Sequence, residues 1–387
     1  MTFIPTRAAG LTALDRFLPN AGRHYADGRN HDHGAGAHDN VSQLSPYLRH
    51  RLVTEAEVVD AVHALHSPSA SEKFVQEVLW RTYWKGWLEL RPAAWTRYTD
   101  DLARLQAQTG GWRRDYDRAI AGNTGIDAFD AWAAELAEHG YLHNHARMWF
   151  ASIWIFTLRL PWQLGAAHFM HHLVDGDTAS NTLSWRWVAG LQTAGKTYLA
   201  TASNIDRYTA GRFDPKGLAT SATALTEDPL PGPRTLPDAA EPPRGRVGLL
   251  LTEEDLHTES LDLGGGEVVA VATVGSIGGR AGLVTGFVDG ALGDGLNRAA
   301  MHFAAPAEAL PAFDAVVEWA RRHRLDAVVT AHAPVGPTHS ALAPVAAGLA
   351  AAAMPLTMVR RDWDSAAWPL ARRGFFAFRE QIGALTA

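Results

Sequence analysis

Five polar residues set in an apolar stretch carry much of the chemistry open to this chain. Residues 143–187 read HNHARMWFASIWIFTLRLPWQLGAAHFMHHLVDGDTASNTLSWRW, with Asn144, Arg147, Asp175, Asp177 and Asn181 among tryptophans and aliphatic side chains. Such groups cost free energy when buried unless they find partners. The spacing predicts a helix over 143–159, with Asn144, Arg147, Met148 and Ala151 on one face. A buried Arg147 needs an anion, and Asp175 in the DGD turn is a reasonable one. Asp177 is placed to cap the next helix, with Asn181 and Trp185 further along its side. An amide both donates and accepts, so it can hydrogen-bond a ring nitrogen in either protonation state. The pattern suits a large, flat ligand with polar edges, and the tryptophan spacing suits electron transfer.

A second stripe lies in 71–90, where Glu77, Trp80, Arg81 and Trp84 share one face of a predicted helix. Two readings stay open. One is a flat ligand or base held by a carboxylate, a guanidinium and two indoles. The other is an internal Glu77–Arg81 pair beside two core tryptophans. The histidines of 31–38 read as a mobile loop, and His168, His171 and His172 read as a solvated helix face. Neither set has metal-site spacing, and no metal is expected.

Two kinds of segment position these residues. Residues 1–213 read as mostly helical, with apolar periodicity over 53–65, 71–90, 127–139, 143–159 and 179–194. Residues 214–245 are rich in Pro, Ala and Thr and read as a linker. From 246 to 387 short β-branched runs at 246–252, 267–274, 325–331 and 356–362 alternate with helical stretches near 286–302, 309–323, 338–353 and 369–384. That alternation predicts a parallel sheet flanked by helices. The fold class is therefore an all-helical N-terminal domain followed by a Rossmann-like α/β domain. No GxGxxG or Walker lysine accompanies the strands, and Gly264–Gly266 read as a turn.

Bulk composition narrows the function classes. The chain has 387 residues and no cysteine, which excludes disulfides, cysteine-ligated iron–sulfur clusters and cysteine nucleophiles. No apolar run is long enough for a membrane span, and the N-terminus lacks a secretory leader, so a cytoplasmic protein is expected. The formal net charge of −6 falls entirely after residue 216, leaving a neutral helical half. A local basic face could still meet nucleic acid there.

Four ordered motifs carry a family likeness: SQLSPYL (42–48), EVLWRTYW (77–84), HNHARM (143–148) and DGDTASNTLSWRW (175–187). With YTAGRFDPKG (208–217), they make nearly all of residues 10–217 resemble the FAD-binding domain of the photolyase/cryptochrome family. The resemblance implies FAD in a helical bowl. Tyr25 and the Ser42–Gln43–Leu44–Ser45 loop would meet its diphosphate, and Arg81, Asn144, Arg147, Asp175 and Asp177 would surround adenine, ribose and isoalloxazine. Asn181 would face flavin N5. Trp185 and Trp162 match the first two tryptophans of the family's photoreduction chain, while the third position is Ala119, so Trp112, Trp132 or Tyr116 would have to substitute.

The same resemblance implies a lesion pocket of Glu77, Trp80, Asn144, Met148 and Trp187, with His145 where many such enzymes carry Arg. The implied activity is blue-light-driven repair of cyclobutane pyrimidine dimers in DNA, a deoxyribodipyrimidine photo-lyase reaction. A cryptochrome-like photoreceptor without repair is the alternative. A flavoprotein with neither role is a third reading. The C-terminal part resembles the family's antenna domain through GLLLTEEDLH (248–257), LDAVVTAHAP (325–334) and RRGFFAFREQI (372–382), in an order that implies circular permutation; a generic flavodoxin-like domain explains the same alternation. A second, antenna chromophore of unknown identity is possible there. A monomer is expected.

Overall fold

The computed structural model describes residues 3–108 and 110–382. The helical half runs α1 (Arg7–Phe17), α2 (Arg23–Gly28), α3 (Ser45–Arg49), α4 (Glu55–Leu65), α5 (Pro68–Leu90) and α6 (Ala93–Ala107). It continues with α7 (Arg113–Ile120), α8 (Asp127–His139), α9 (Asn144–Ser152), α10 (Trp162–His172), α11 (Thr178–Val188) and α12 (Ala202–Tyr208). Local chemistry fixes the ends. Thr54 and Glu57 form a reciprocal capping box on α4. Ser67 caps α5, with Pro68 in its first turn. Gly140 closes α8 in the left-handed conformation.

The helix expected over 143–159 is interrupted. Its α-helical part ends at Ser152, and Ile153–Thr157 widen into a π-turn that carries Trp154. Such one-turn bulges re-aim side chains without ending the rod. Residues 212–244 form no helix or strand, but they do not hang free. Glu227 pairs with Arg186 and Arg97, Arg234 Nε donates to the Glu89 carbonyl at 2.8 Å, and Leu236 is buried.

The second half holds a five-stranded parallel sheet in the order β3-β2-β1-β4-β5. Its strands are β1 (Gly245–Leu251), β2 (Gly266–Val274), β3 (Ala307–Leu310), β4 (Ala327–Ala331) and β5 (Leu356–Val359). The helices are α13 (Gly282–Phe303), α14 (Val316–Arg322), α15 (Pro337–Ala351), α16 (Asp362–Ala367) and α17 (Phe375–Ile382). Strand β3 replaces the beginning of the helix expected over 309–323, and α17 stops at Ile382, since residues 383 and 384 of the expected helix lie outside the described residues. One sheet face packs Leu250, Ala272 and Val328 under Trp319 and Leu342 of α14 and α15. The other presents Val247, Leu249 and Val271 to α13, in an apolar core continuous with that of α1, α4 and α5.

The crevice at the carboxyl end of β1, where strand order reverses, is a common ligand position in such sheets. Here side chains of the helical half fill it. Arg49 of α3 donates to Glu254 at 2.9 and 3.0 Å and to Glu253 at 3.2 Å. Arg51 meets Asp364 through two 2.7 Å bonds, with Glu55 and Asp255 beside it. No described helix is long and apolar enough to cross a membrane.

Candidate functional site

Helices α5, α9 and α11 and the loop before α3 bring most of the singled-out polar residues into one charged array. Arg147 Nη2 donates to Asp175 Oδ2 at 2.9 Å, and its Nε donates to the Leu142 carbonyl. Burial pushes the Asp175 carboxyl up, but Arg147, with Ser45 and Arg81 adding to it, holds the group below its ordinary value. Asp177 Oδ1 accepts from Ser180 N at 2.7 Å and so caps α11. Its other oxygen lies 3.6 Å from Lys85 and 3.8 Å from Arg81. Burial opposes ionisation of Asp177 as well, and Lys85, Arg81 and Arg49 outweigh it.

The internal Glu77–Arg81 pair is not formed. Glu77 pairs instead with Arg29 of the segment after α2, at 2.9 Å. Burial raises the Glu77 carboxyl pKa despite that guanidinium. Arg81 is left with a buried Nη1 that has no hydrogen-bond partner, and the Ser180 hydroxyl is in the same state. Asn181 is buried and donates its Nδ2 to the Ala166 carbonyl at 2.9 Å. None of the described residues donates to Asn181 Oδ1, so its acceptor end is available.

The other singled-out residues divide. Ser42, Gln43 and Ser45 are half-buried beside the buried Leu44; Gln43 takes a left-handed backbone (φ 54°) and donates to the His38 carbonyl. Tyr25 packs edge-on against Phe17 and Phe74, and burial raises its hydroxyl pKa. Asn144 is exposed at the start of α9, and Met148 is half-buried one turn later. His145 stacks on Trp149 at 4.2 Å, and its Nε2 meets the Tyr198 hydroxyl at 3.2 Å. Trp187 stacks on that same Tyr198 at 5.7 Å.

Two aromatic lines run outward. Trp162 lies 5.5 Å from Tyr98, which lies 5.2 Å from Trp95. Trp185 contacts Trp154 edge-on at 6.1 Å, Trp154 contacts Tyr116 at 5.9 Å, and Tyr116 contacts the half-buried Trp112 at 5.9 Å. Trp132 belongs elsewhere, stacked on Trp149. Ala119 is buried within α7. Both lines border a cavity of about 610 Å³ between α6, α7, α10 and the loop after β2, lined by Trp95, Tyr98, Tyr116, His168 and Arg280 among others.

Sequence reasoning missed Arg29, Lys85, Trp154 and Tyr198. Lys85 carried a signal, because it extends the Glu77–Arg81 stripe by another four residues. Trp154 did not; it lies in the π-turn and meets Trp185 edge-on. Two histidine readings are corrected. His38 is buried against Glu135 at 3.0 Å, not mobile. His168 is buried in an aromatic setting, not solvated, and that burial pushes its pKa down to about 3.

Gly165 is the close-packing point behind Trp185. A β-carbon there would lie 2.3 Å from Trp185 Cη2 and 3.0 Å from Trp154 Cε2. Gly165→Ala is therefore expected to cost about 1–3 kcal/mol through overpacking and to shift tryptophan fluorescence. An unchanged melting curve and spectrum would contradict that packing.

Residues 74–219 match the model of the FAD-binding domain of DNA photolyase. The deoxyribodipyrimidine photo-lyase of Streptomyces griseus is 39% identical over 189 residues, covering 48% of this chain and 39% of that protein. A chloroplastic/mitochondrial cryptochrome DASH of Ostreococcus tauri is 30% identical over 231 residues, covering 54% of this chain and 39% of its own length. A solved class III photolyase from Agrobacterium tumefaciens is 26% identical, with a TM-score of 0.45 over 53% of this chain and 43% of that one. The chain thus spans about two fifths of the length of these curated relatives. Over residues 74–219 the helical half is thus similar to the FAD-binding domain of DNA photolyase.

Proposed function

We propose that the helical half binds FAD and that the protein uses blue light to split cyclobutane pyrimidine dimers in DNA. The observation that carries the cofactor is Arg81. A buried guanidinium nitrogen without an acceptor calls for a ligand oxygen or nitrogen. The surrounding donor set suits a dinucleotide. Ser42, Gln43, Leu44 and Ser45, with Tyr25, line the diphosphate side in this reading. Arg81, Asn144, Arg147, Asp175 and Asp177 line the adenine, ribose and ring sides, and Asn181 offers its amide oxygen to a ring nitrogen. When bound, the flavin supplies light-driven one-electron chemistry; the chain supplies placement and electrostatics.

In this reading Trp80 and Trp187 offer flat faces to a flipped-out dimer, and Asn144, His145 and Met148 form the wall. Extruding a damaged, poorly stacked pair costs only a few kcal/mol. Glu77, held by Arg29, is placed to meet a pyrimidine carbonyl edge in this reading. Trp185 is the first residue to give up an electron during photoreduction. Its onward partner is Trp162 by family likeness, while Trp154, Tyr116 and Trp112 form the line in direct ring contact with it. The name of the Streptomyces relative supports repair.

Light sensing without repair is the second reading. The Tyr198 stack favours it, because it covers one face of Trp187, and so does the name of the Ostreococcus relative. The test is an absorption spectrum followed by blue-light irradiation with a thymine-dimer oligonucleotide and a reductant. Bound flavin and loss of dimer are expected. Glu77→Ala should retain flavin and lower repair yield by roughly tenfold or more, within the usual range for a positioned acid. A folded but colourless protein overturns the cofactor. Dimer persisting under saturating light, with flavin bound, transfers the assignment to the sensor.

A further inference from the structure

We infer that Phe375, at the start of α17 in the C-terminal half, is a positioning residue for Trp80: it backs one face of the indole so that the other is presented to a base. The inference rests on the lesion-pocket reading of Trp80. The contact itself does not. The rings stack with centroids 3.7 Å apart and planes 9° from parallel. Tyr83 meets Trp80 edge-on at 5.5 Å and Trp84 lies tilted at 5.1 Å. Trp80 nevertheless stays only partly buried. Phe375 therefore covers one face of the indole, while part of Trp80 stays accessible.

The alternative is that Phe375 occupies the base's own seat as a removable plug, and its surroundings argue against that. Phe375 is 3% exposed, Phe378 0% and Ile382 1%. The approach to α17 is pinned to α5: the Tyr83 hydroxyl donates to the Arg373 carbonyl at 2.9 Å, and Arg91 donates to the Ala371 and Arg372 carbonyls at 3.3 and 2.7 Å. Arg379 pairs with Glu72 at 2.7 Å further along. Lifting Phe375 would carry the fully buried Phe378 and Ile382 into water, which their apolar area opposes. A group held this way is a wall. Aromatic stacking on a base has little orientational rigidity when the protein ring can tilt; a second ring behind the first removes that freedom before the base arrives. The α/β half would then contribute to base recognition through Trp80.

The test uses holoprotein in the dark, so that no repair intervenes. Fluorescence anisotropy gives the ratio of affinities for a thymine-dimer oligonucleotide and its undamaged counterpart. Trp80→Ala should lower that preference by roughly tenfold or more. Phe375→Leu, which fills space without a flat face, should lower it roughly three- to tenfold, the scale of an aromatic pair. Phe375→Tyr should retain it, as should Phe376→Leu at the neighbouring exposed position. Rescue by a planar ring separates positioning from mere packing, and the flavin spectrum and melting curve check that the fold persists. If the Leu variant does not fold, Phe375→Met takes its place. An unchanged preference in the folded Leu or Met variant overturns the inference, and a raised one overturns it in favour of the plug. A neutral Trp80→Ala overturns the reading of Trp80 together with the inference.

Discussion

Replacing Arg51 by methionine should lower the unfolding free energy by about 3–5 kcal/mol, the range for breaking a buried ion pair from one side. Arg51 is 4% exposed and faces three carboxylates that are just as buried, on Asp364, Glu55 and Asp255. Two of them come from the other half of the chain. The substitution keeps most of the side-chain volume, so its effect reports lost charge and not a cavity. Arg361 would still hold Asp255, whose pKa it helps to bring down to about 2 against the effect of burial. Asp364 and Glu55 would be left without their guanidinium. Urea unfolding followed by tryptophan fluorescence measures the loss, and a change below about 1 kcal/mol, the level of a surface pair, would mean that the network adds nothing net to the joint. A variant replacing Arg51 and its carboxylates together by apolar residues should recover much of the loss, since an apolar cluster can match a buried ion network.

Asp177→Asn should release bound flavin and destabilise the helical half, and Asp177→Ala should do both more strongly. Asn keeps an oxygen for the cap on Ser180 but removes the charge. Lys85, with a side chain 2% exposed, and Arg81, at 12%, would then lie together with no carboxylate between them. An uncompensated buried cation costs several kcal/mol. Removing the cap as well should cost Asp177→Ala about 1 kcal/mol more than Asn. Flavin content per protein and the thermal midpoint check both variants. If the Asn variant melts and binds flavin like the parent, the carboxylate is not what balances the two cations. A loss confined to Ala would reduce Asp177 to a helix cap.

Local patterns disclosed the parts of this molecule whose forces act over a few residues. The α5 stripe, the Asp177 cap and the Arg147–Asp175 pair follow from helical spacing and from the cost of burying charge, and all three appear in the structure. The strands rich in Val and Leu were visible for the same reason. Strand β3 was not: its AEAL sequence is built from helix formers and gains its conformation only by pairing with β2. The partner of Glu77 was equally hidden, because the nearby Arg81 satisfied the i+4 rule while Arg29 won the pair in space. Contacts between Arg51 and Asp364 or Trp80 and Phe375 join residues almost 300 or more positions apart, and no periodicity encodes them. Likewise, an accommodating π-turn gives no composition signal, and Trp154 was overlooked with it.

The strand-free passage from 212 to 244 lies against the helical surface at Glu227, Arg234 and Leu236, while the two halves meet through a shared apolar core and buried charge. Covalent continuity is therefore not the only tie between the halves. Made as two separate polypeptides, such a molecule would have the means to reunite by ordinary recognition, and evolution could reorder its genetic segments without redesigning the seam.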